Sequence, residues 1–281
     1  MEAGLTDGWV ADNLKNALYT WNSKLSEIMT LLTCPPEEFK GGTVWAAVSG
    51  IHGALRAVAY ALLVLFFLAG VMKTCGNFAE LKRPEQAFRL FIRFALAKAA
   101  VTYGMDILKA FMDIARGITG TVIVQSGLAG PEAVTLSERI EAAIGDCGFW
   151  ETVPLWAVTL LGSIFITVIS FYLILTVYGR FFRIYMYAAA APLALSTFAG
   201  EPTQGTGRAF LRAFAGVMLE GAVIAAACLL FSAFASSGEG VTIYGSPVTV
   251  VWTYIGEVIF NMLLLTGCVK VSGTMVRELL R

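Results

Sequence analysis

The sequence is short of charge. Only 14% of its 281 residues are Asp, Glu, Lys or Arg, 57% are hydrophobic, and mean hydropathy is +0.73. An ordinary soluble domain carries about 25% charged and roughly 45–50% apolar residues, so this composition excludes a soluble protein. The 20 basic and 20 acidic side chains cancel. No bulk charge exists to hold nucleic acid by counterion release, and any contact with a polyanion must come from a local patch. Histidine is limited to His52, and the five cysteines show neither a CxxC nor a Cys/His ligand spacing, so no metal site is expected. The GxGxxG, Walker, GxSxG and HExxH signatures are missing too. Neither enzyme activity nor a cofactor is expected, while bound lipid is compatible with such a chain.

What is present is a series of long apolar runs, and the expected fold class is all-α, a polytopic helical membrane protein. The first 43 residues have no basic, apolar leader pattern, so no cleavable signal is expected there. Val10, Leu14, Leu18, Trp21, Leu25, Ile28 and Leu32 fall within an arc of roughly 80° at 100° per residue. This predicts an amphipathic helix, stopped by Cys34-Pro35-Pro36 because proline removes a donor and drives its predecessor from helical geometry. Residues 44–72 hold Arg56 as their one charge and form the first expected span. A second, more polar helix is expected over 90–118. Residues 152–179 are uncharged and make the plainest span. Residues 184–198 are short and contain Pro192, which predicts a helix break and a re-entrant or half-span helix. Spans over 213–234 and 248–271 complete five full transmembrane helices plus one partial one.

Lysine and arginine near span ends are retained on the cytoplasmic side. The segment 73–93 has five basic residues (Lys73, Lys82, Arg83, Arg89, Arg93) against two acidic, whereas the loop 119–152 has one against five. These, with Arg180 and Arg183 at an expected internal turn, predict the N-terminus outside and the C-terminus inside the cytoplasmic (inner) membrane. Trp45, Trp150, Trp156 and Trp252 then mark external ends, and Tyr178, Tyr185 and Tyr187 an internal one. The expected organisation is an extracytoplasmic amphipathic helix (1–43), a transmembrane domain (44–272) with external loop 119–152, and a short cytoplasmic tail (273–281). Cys34 and Cys147 are the cysteines in external segments, where a disulfide is permitted.

Charges in hydrocarbon cost about 2.5–3.5 kcal/mol each even on the lenient scale, so they mark protein interior, a partner or water. Arg56, Glu220 and Glu257 are such charges. Either Arg56 pairs with one of the glutamates and locks helix packing, or the three line a polar path. His52 reads as a hydrogen-bonded core residue, since a proton relay needs titratable neighbours. In the second helix, Lys98, Thr102, Asp106, Lys109, Asp113 and Arg116 share one arc of roughly 80°. Two readings stand: a ladder of ion pairs against another helix of the same chain, with Asp106, Lys109 and Asp113 at helical neighbour spacing, or a face turned to a lumen or subunit interface.

The run Arg180-Phe-Phe-Arg-Ile-Tyr-Met-Tyr-Ala-Ala-Ala-Ala-Pro192-Leu-Ala-Leu-Ser-Thr-Phe-Ala-Gly200, followed by Gly207-Arg-Ala-Phe-Leu-Arg-Ala-Phe-Ala-Gly216, resembles the TrbL-like (VirB-six-type) polytopic subunit of conjugative type IV secretion systems, in the shorter branch of Gram-positive conjugative elements. The resemblance implies a non-enzymatic channel or pilus-assembly subunit. It also implies a homo-oligomeric ring, fivefold by the same likeness, whose partners include the secretion ATPase, pilin, membrane lipids and, transiently, relaxase-linked single-stranded DNA. The basic segment 73–93 is then expected to face partner proteins or the DNA backbone. A small secondary transporter coupling ions through Glu220 or Glu257 is the alternative, although its usual internal repeat is missing.

Overall fold

The computed structural model describes residues 3–74, 84–125, 133–145, 149–237 and 246–280. The ordered elements are helices throughout: α1 (Ala3–Thr33), α2 (Thr43–Thr74), α3 (Pro84–Thr102), α4 (Gly104–Gln125), α5 (Glu138–Gly145), α6 (Phe149–Ser196), α7 (Gln204–Ser237) and α8 (Pro247–Leu279), with short 3-10 turns at Phe39–Gly42 and Thr197–Ala199. Four stretches, Phe39–Lys73, Val153–Ala199, Gln204–Phe234 and Pro247–Leu279, are long and apolar enough to cross a membrane. The contacts divide the chain into two compact units. The first comprises Met1–Thr33, Thr119–Tyr178 and Ala222–Ser272, the second Cys34–Ile118, Gly179–Gly221 and Gly273–Arg281.

In the first unit, α1 ends at Thr33, directly before the Cys34-Pro35-Pro36 stop. All seven positions of its apolar stripe are buried, Trp21 completely, so the helix packs on its own chain. Polar contacts fix its register. Lys15 meets Glu141 of α5 at 2.8 Å, and that hydrogen bond raises the lysine's pKa. Asn22 and the backbone of Val134 exchange two hydrogen bonds of 2.9 and 3.0 Å, and Tyr178 donates to Glu27 at 2.9 Å. Tyr254 of α8 donates to the Thr135 carbonyl at 3.2 Å, so the non-helical 133–137 stretch is tied from two sides.

In the second unit, Lys40, Gly41 and Gly42 all take positive φ, a left-handed turn that glycine tolerates and that swings the chain into α2. Helix α2 runs antiparallel to α3, with Tyr60 at Thr102 (3.0 Å) and Phe67 at Phe94 (ring centroids 4.8 Å). It runs parallel to the second half of α6, with Phe39 stacked on Phe181 (4.4 Å), Trp45 beside Tyr185 (6.3 Å), His52 bonded to the Ala188 carbonyl, and Gly70 against Gly200.

These contacts correct several expectations. Residues 184–198 do not re-enter: α6 continues through Pro192 to Ser196. The expected second helix is α3 and α4 joined at Tyr103, across which the bonds Tyr103 N–H to Ala99 (2.8 Å) and Ile107 N–H to Tyr103 (3.0 Å) persist. The loop expected over 119–152 is shorter, because α4 extends to Gln125, α5 lies within it, and α6 starts at Phe149. Most of the expected tail 273–281 is the end of α8. Trp45 and Tyr185, read as markers of opposite membrane faces, touch. Arg180 and Arg183 therefore lie beside the start of α2 rather than in a turn at its far end. Cys147 and the side chain of Trp150 lie outside the described residues, while Cys34 is a free thiol.

Candidate functional site

The polar face of α3 and α4 survives the junction at Tyr103. The buried side of the same pair carries Ala97, Val101, Gly104, Leu108, Met112, Ala115 and Thr119, spaced by three and four residues as a helix stripe must be. The six polar residues stand apart from it: Lys98, Asp106, Asp113 and Arg116 are exposed, and Thr102 and Lys109 are half-buried. The Thr102 hydroxyl donates to the Lys98 carbonyl (2.8 Å) and shares a hydrogen bond with Tyr60; the Lys109 ammonium sits 5.8 Å from the Trp45 ring centroid; Arg116 pairs with Asp113 at 2.9 Å. The Asp106–Lys109 and Lys109–Asp113 pairs that spacing allows are not formed. Asp106 has no ion-pair partner among the described residues. Thr102 and Lys109 face α2, a helix apolar and long enough to cross a membrane, while Lys98, Asp106, Asp113 and Arg116 are left exposed by the described residues.

A second polar site is enclosed. Glu220 of α7 is 3% exposed and Arg180 of α6 is 7% exposed. Arg183 donates to Glu220 Oε1 at 2.8 Å, and Arg180 donates to the carbonyls of Val217 (3.1 Å) and Met218 (3.0 Å). Two glycines make the room. A Cβ on Gly221 would stand 2.6 Å from the Arg180 guanidinium, and one on Gly273 of α8 would stand 2.9 Å from Glu220 Oε1. Glu220 Oε2 is buried without a partner. The arrangement ties α6, α7 and α8 in one register, as an intramembrane charge does when it is paired inside the protein.

His52 is the third feature. A proline at position 192 cannot donate to the carbonyl four residues back, which leaves Ala188 O without its helical partner. His52 Nδ1 donates to that oxygen at 2.8 Å. This bears out the hydrogen-bonded core reading of His52 and explains why Pro192, itself buried, does not break α6. Among the described residues no group of three or more His, Cys, Asp or Glu side chains gathers to hold a metal ion.

The family model described as "TrbL/VirB6 plasmid conjugal transfer like protein" matches residues 21–192, more than half of the chain. The chain belongs to the TrbL/VirB6-like conjugal transfer family. No curated protein and no solved structure matches it. The matched stretch of this TrbL/VirB6-like chain runs from Trp21 in the α1 stripe to Pro192, and so takes in the charged face, His52, Arg180 and Arg183. Family and helices together make it a multi-pass membrane protein of a conjugal transfer system.

The remaining expected site residues scatter. Arg56 and Glu257 are both exposed, and Glu220 pairs with Arg183 instead of Arg56, which corrects the first reading of the intramembrane charges. Lys73 and Arg89 are exposed, and Arg93 faces Glu201 at 3.8 Å; Lys82 and Arg83 lie outside the described residues. The sequence reading missed Arg180 and Arg183 as site residues by placing them at a span end. Their i, i+3 spacing puts them on one helix side, and that signal becomes readable only once α6 is known to continue past Tyr178.

Proposed function

We propose that this TrbL/VirB6-like chain is a channel or assembly-platform subunit of a conjugative type IV secretion system. It works as a homo-oligomer in the cytoplasmic membrane, fivefold by family likeness, and supports DNA–protein transfer or pilus assembly. The secretion ATPase, pilin, membrane lipids and transiently passing relaxase-linked single-stranded DNA are its partners in this reading. The observation that carries it is the exposed charged face of α3 and α4 alongside α2, which this reading sets within the membrane. Charges there are stable only against protein or water, and a subunit boundary or lumen supplies either.

The basic bias of 73–93 supports a cytoplasmic position for the turn between α2 and α3, with the N-terminus outside and the C-terminus inside. The organisation into an external α1 region (1–43), a transmembrane domain (44–272) and a short C-terminal end (273–281) belongs to the same proposal. A transporter reading is weaker, because Glu220 is already engaged by Arg183. The test is conjugal transfer by Asp106→Asn/Asp113→Asn. Transfer is expected to fall about tenfold or more while membrane insertion stays intact; unchanged transfer would refute the proposed role of this face.

A further inference from the structure

Asp106 is an exposed anion on α4 with no ion-pair partner among the described residues. Arg208, on the first turns of α7, is the converse: exposed and in no ion pair among the described residues. The contacts between their helices set the two near one level along the helix axes. Gly104, two residues before Asp106, packs beside His52, and His52 bonds to Ala188. Tyr187, next to Ala188, meets Phe210 at 5.6 Å and Phe214 at 6.3 Å, and Phe214 meets Phe111 of α4 at 6.3 Å. At 1.5 Å rise per residue these contacts place Arg208 within about one helical turn of the level of Asp106.

They form no ion pair within one chain and sit on different sides of their helices. Asp106 is about 140° around α4 from Phe111, the residue that contacts α7, and Arg208 is about 120° around α7 from Phe214, which contacts α4. Asp106 instead shares the side of α3 and α4 on which Thr102 meets Tyr60 and Lys109 meets Trp45, the side towards α2. Rotation about an axis along the membrane normal moves a residue sideways and leaves its depth unchanged. A head-to-tail interface between copies therefore joins different surfaces at equal depth, and closes into a ring when the rotation closes. Opposite charges at one depth on two different sides of a protomer are what such an interface needs.

We infer that Asp106 of one copy forms an ion pair with Arg208 of the neighbouring copy, so that the α2-side edge of α3–α4 docks on the outer face of α7. Arg212, exposed one turn beyond Arg208, lies on the same docking side. This contact rests on the homo-oligomer reading and names its interface.

The test uses the full chain in native membranes. An Asp–Arg pair holds its Cβ atoms farther apart than a disulfide spans, so a short bismaleimide is the cross-linker: in a background without the native cysteines, D106C/R208C is expected to give cross-linked dimers and a ladder of higher species, and D106C or R208C alone is not. Separately, D106R and R208D each lower conjugal transfer about tenfold or more, and D106R/R208D together restore most of it. If the wild-type protein is an oligomer but D106C/R208C gives no cross-link between chains, or closes within one chain, the contact is wrong and the oligomer reading stands. A wild-type monomer overturns both. Cross-linking of D106C to another component of the transfer system in place of a second copy also overturns the contact.

Discussion

At Pro192, just over one turn before the end of its longest helix, the chain gives up a backbone donor, and His52 from another helix supplies one to the same carbonyl. A buried carbonyl left without a partner costs about 1–3 kcal/mol, so His52→Ala is expected to lower the melting temperature of the detergent-solubilised protein. The specific expectation is coupling. Pro192→Ala restores the helical N–H to Ala188 O, so His52→Ala should cost much less in that background, whereas equal costs in both backgrounds would disprove the exchange. Cys34 allows a pH test. Burial, and secondarily Glu38, raise its thiol pKa, so at any given pH around neutrality a smaller fraction is thiolate than in a free cysteine. Its alkylation by iodoacetamide is expected to be slower than that of glutathione and to overtake only at more alkaline pH; equal or faster reaction at pH 8 would contradict the placement. Residue types alone indicated that His52 is a bonded core residue. They could not indicate that Glu220 meets Arg183 and not Arg56, because that depends on how α6 lines up with α7.

Among the elements, α1 shows how much a period can reveal. Its seven apolar positions follow from spacing alone, and every one is buried. What the period leaves open is the surface it packs on, which here is the chain itself through Glu141, Val134 and Tyr178. Trp21 is the largest side chain of the stripe, and Trp21→Ala is expected to destabilise the protein by about 3–5 kcal/mol. Trp21→Phe should cost far less, since the indole N–H is buried without a partner and its removal relieves an unmet donor. Near-equal melting temperatures for Trp21→Ala and wild type would show that α1 is not docked as described. Helix α6 shows the opposite lesson. Its uncharged stretch 152–179 reads clearly as a span, but its continuation was hidden first by Arg180 and Arg183, read as a turn, and then by Pro192, which local propensity marks as a break that only a tertiary donor cancels. The aromatic markers misled for a related reason: Trp45 and Tyr185 belong to one side-chain cluster, and interfacial preference describes averages rather than particular contacts.

For the whole molecule, the charged face of α3 and α4 was legible as a periodic stripe, but a stripe does not say what covers it. Among the described residues no other helix encloses Asp106 or Asp113, and both are exposed. Asp113 is met by Arg116 within its own helix, whereas Asp106 has no ion-pair partner among the described residues; in the proposed oligomer Arg208 of a second copy supplies the opposite charge. The most direct test is single-particle imaging of the full chain extracted with its native lipids. The account predicts rotationally symmetric particles with α3 and α4 at the boundary between neighbouring copies. Lone protomers with acyl chains lying against Asp106 and Asp113 would contradict it.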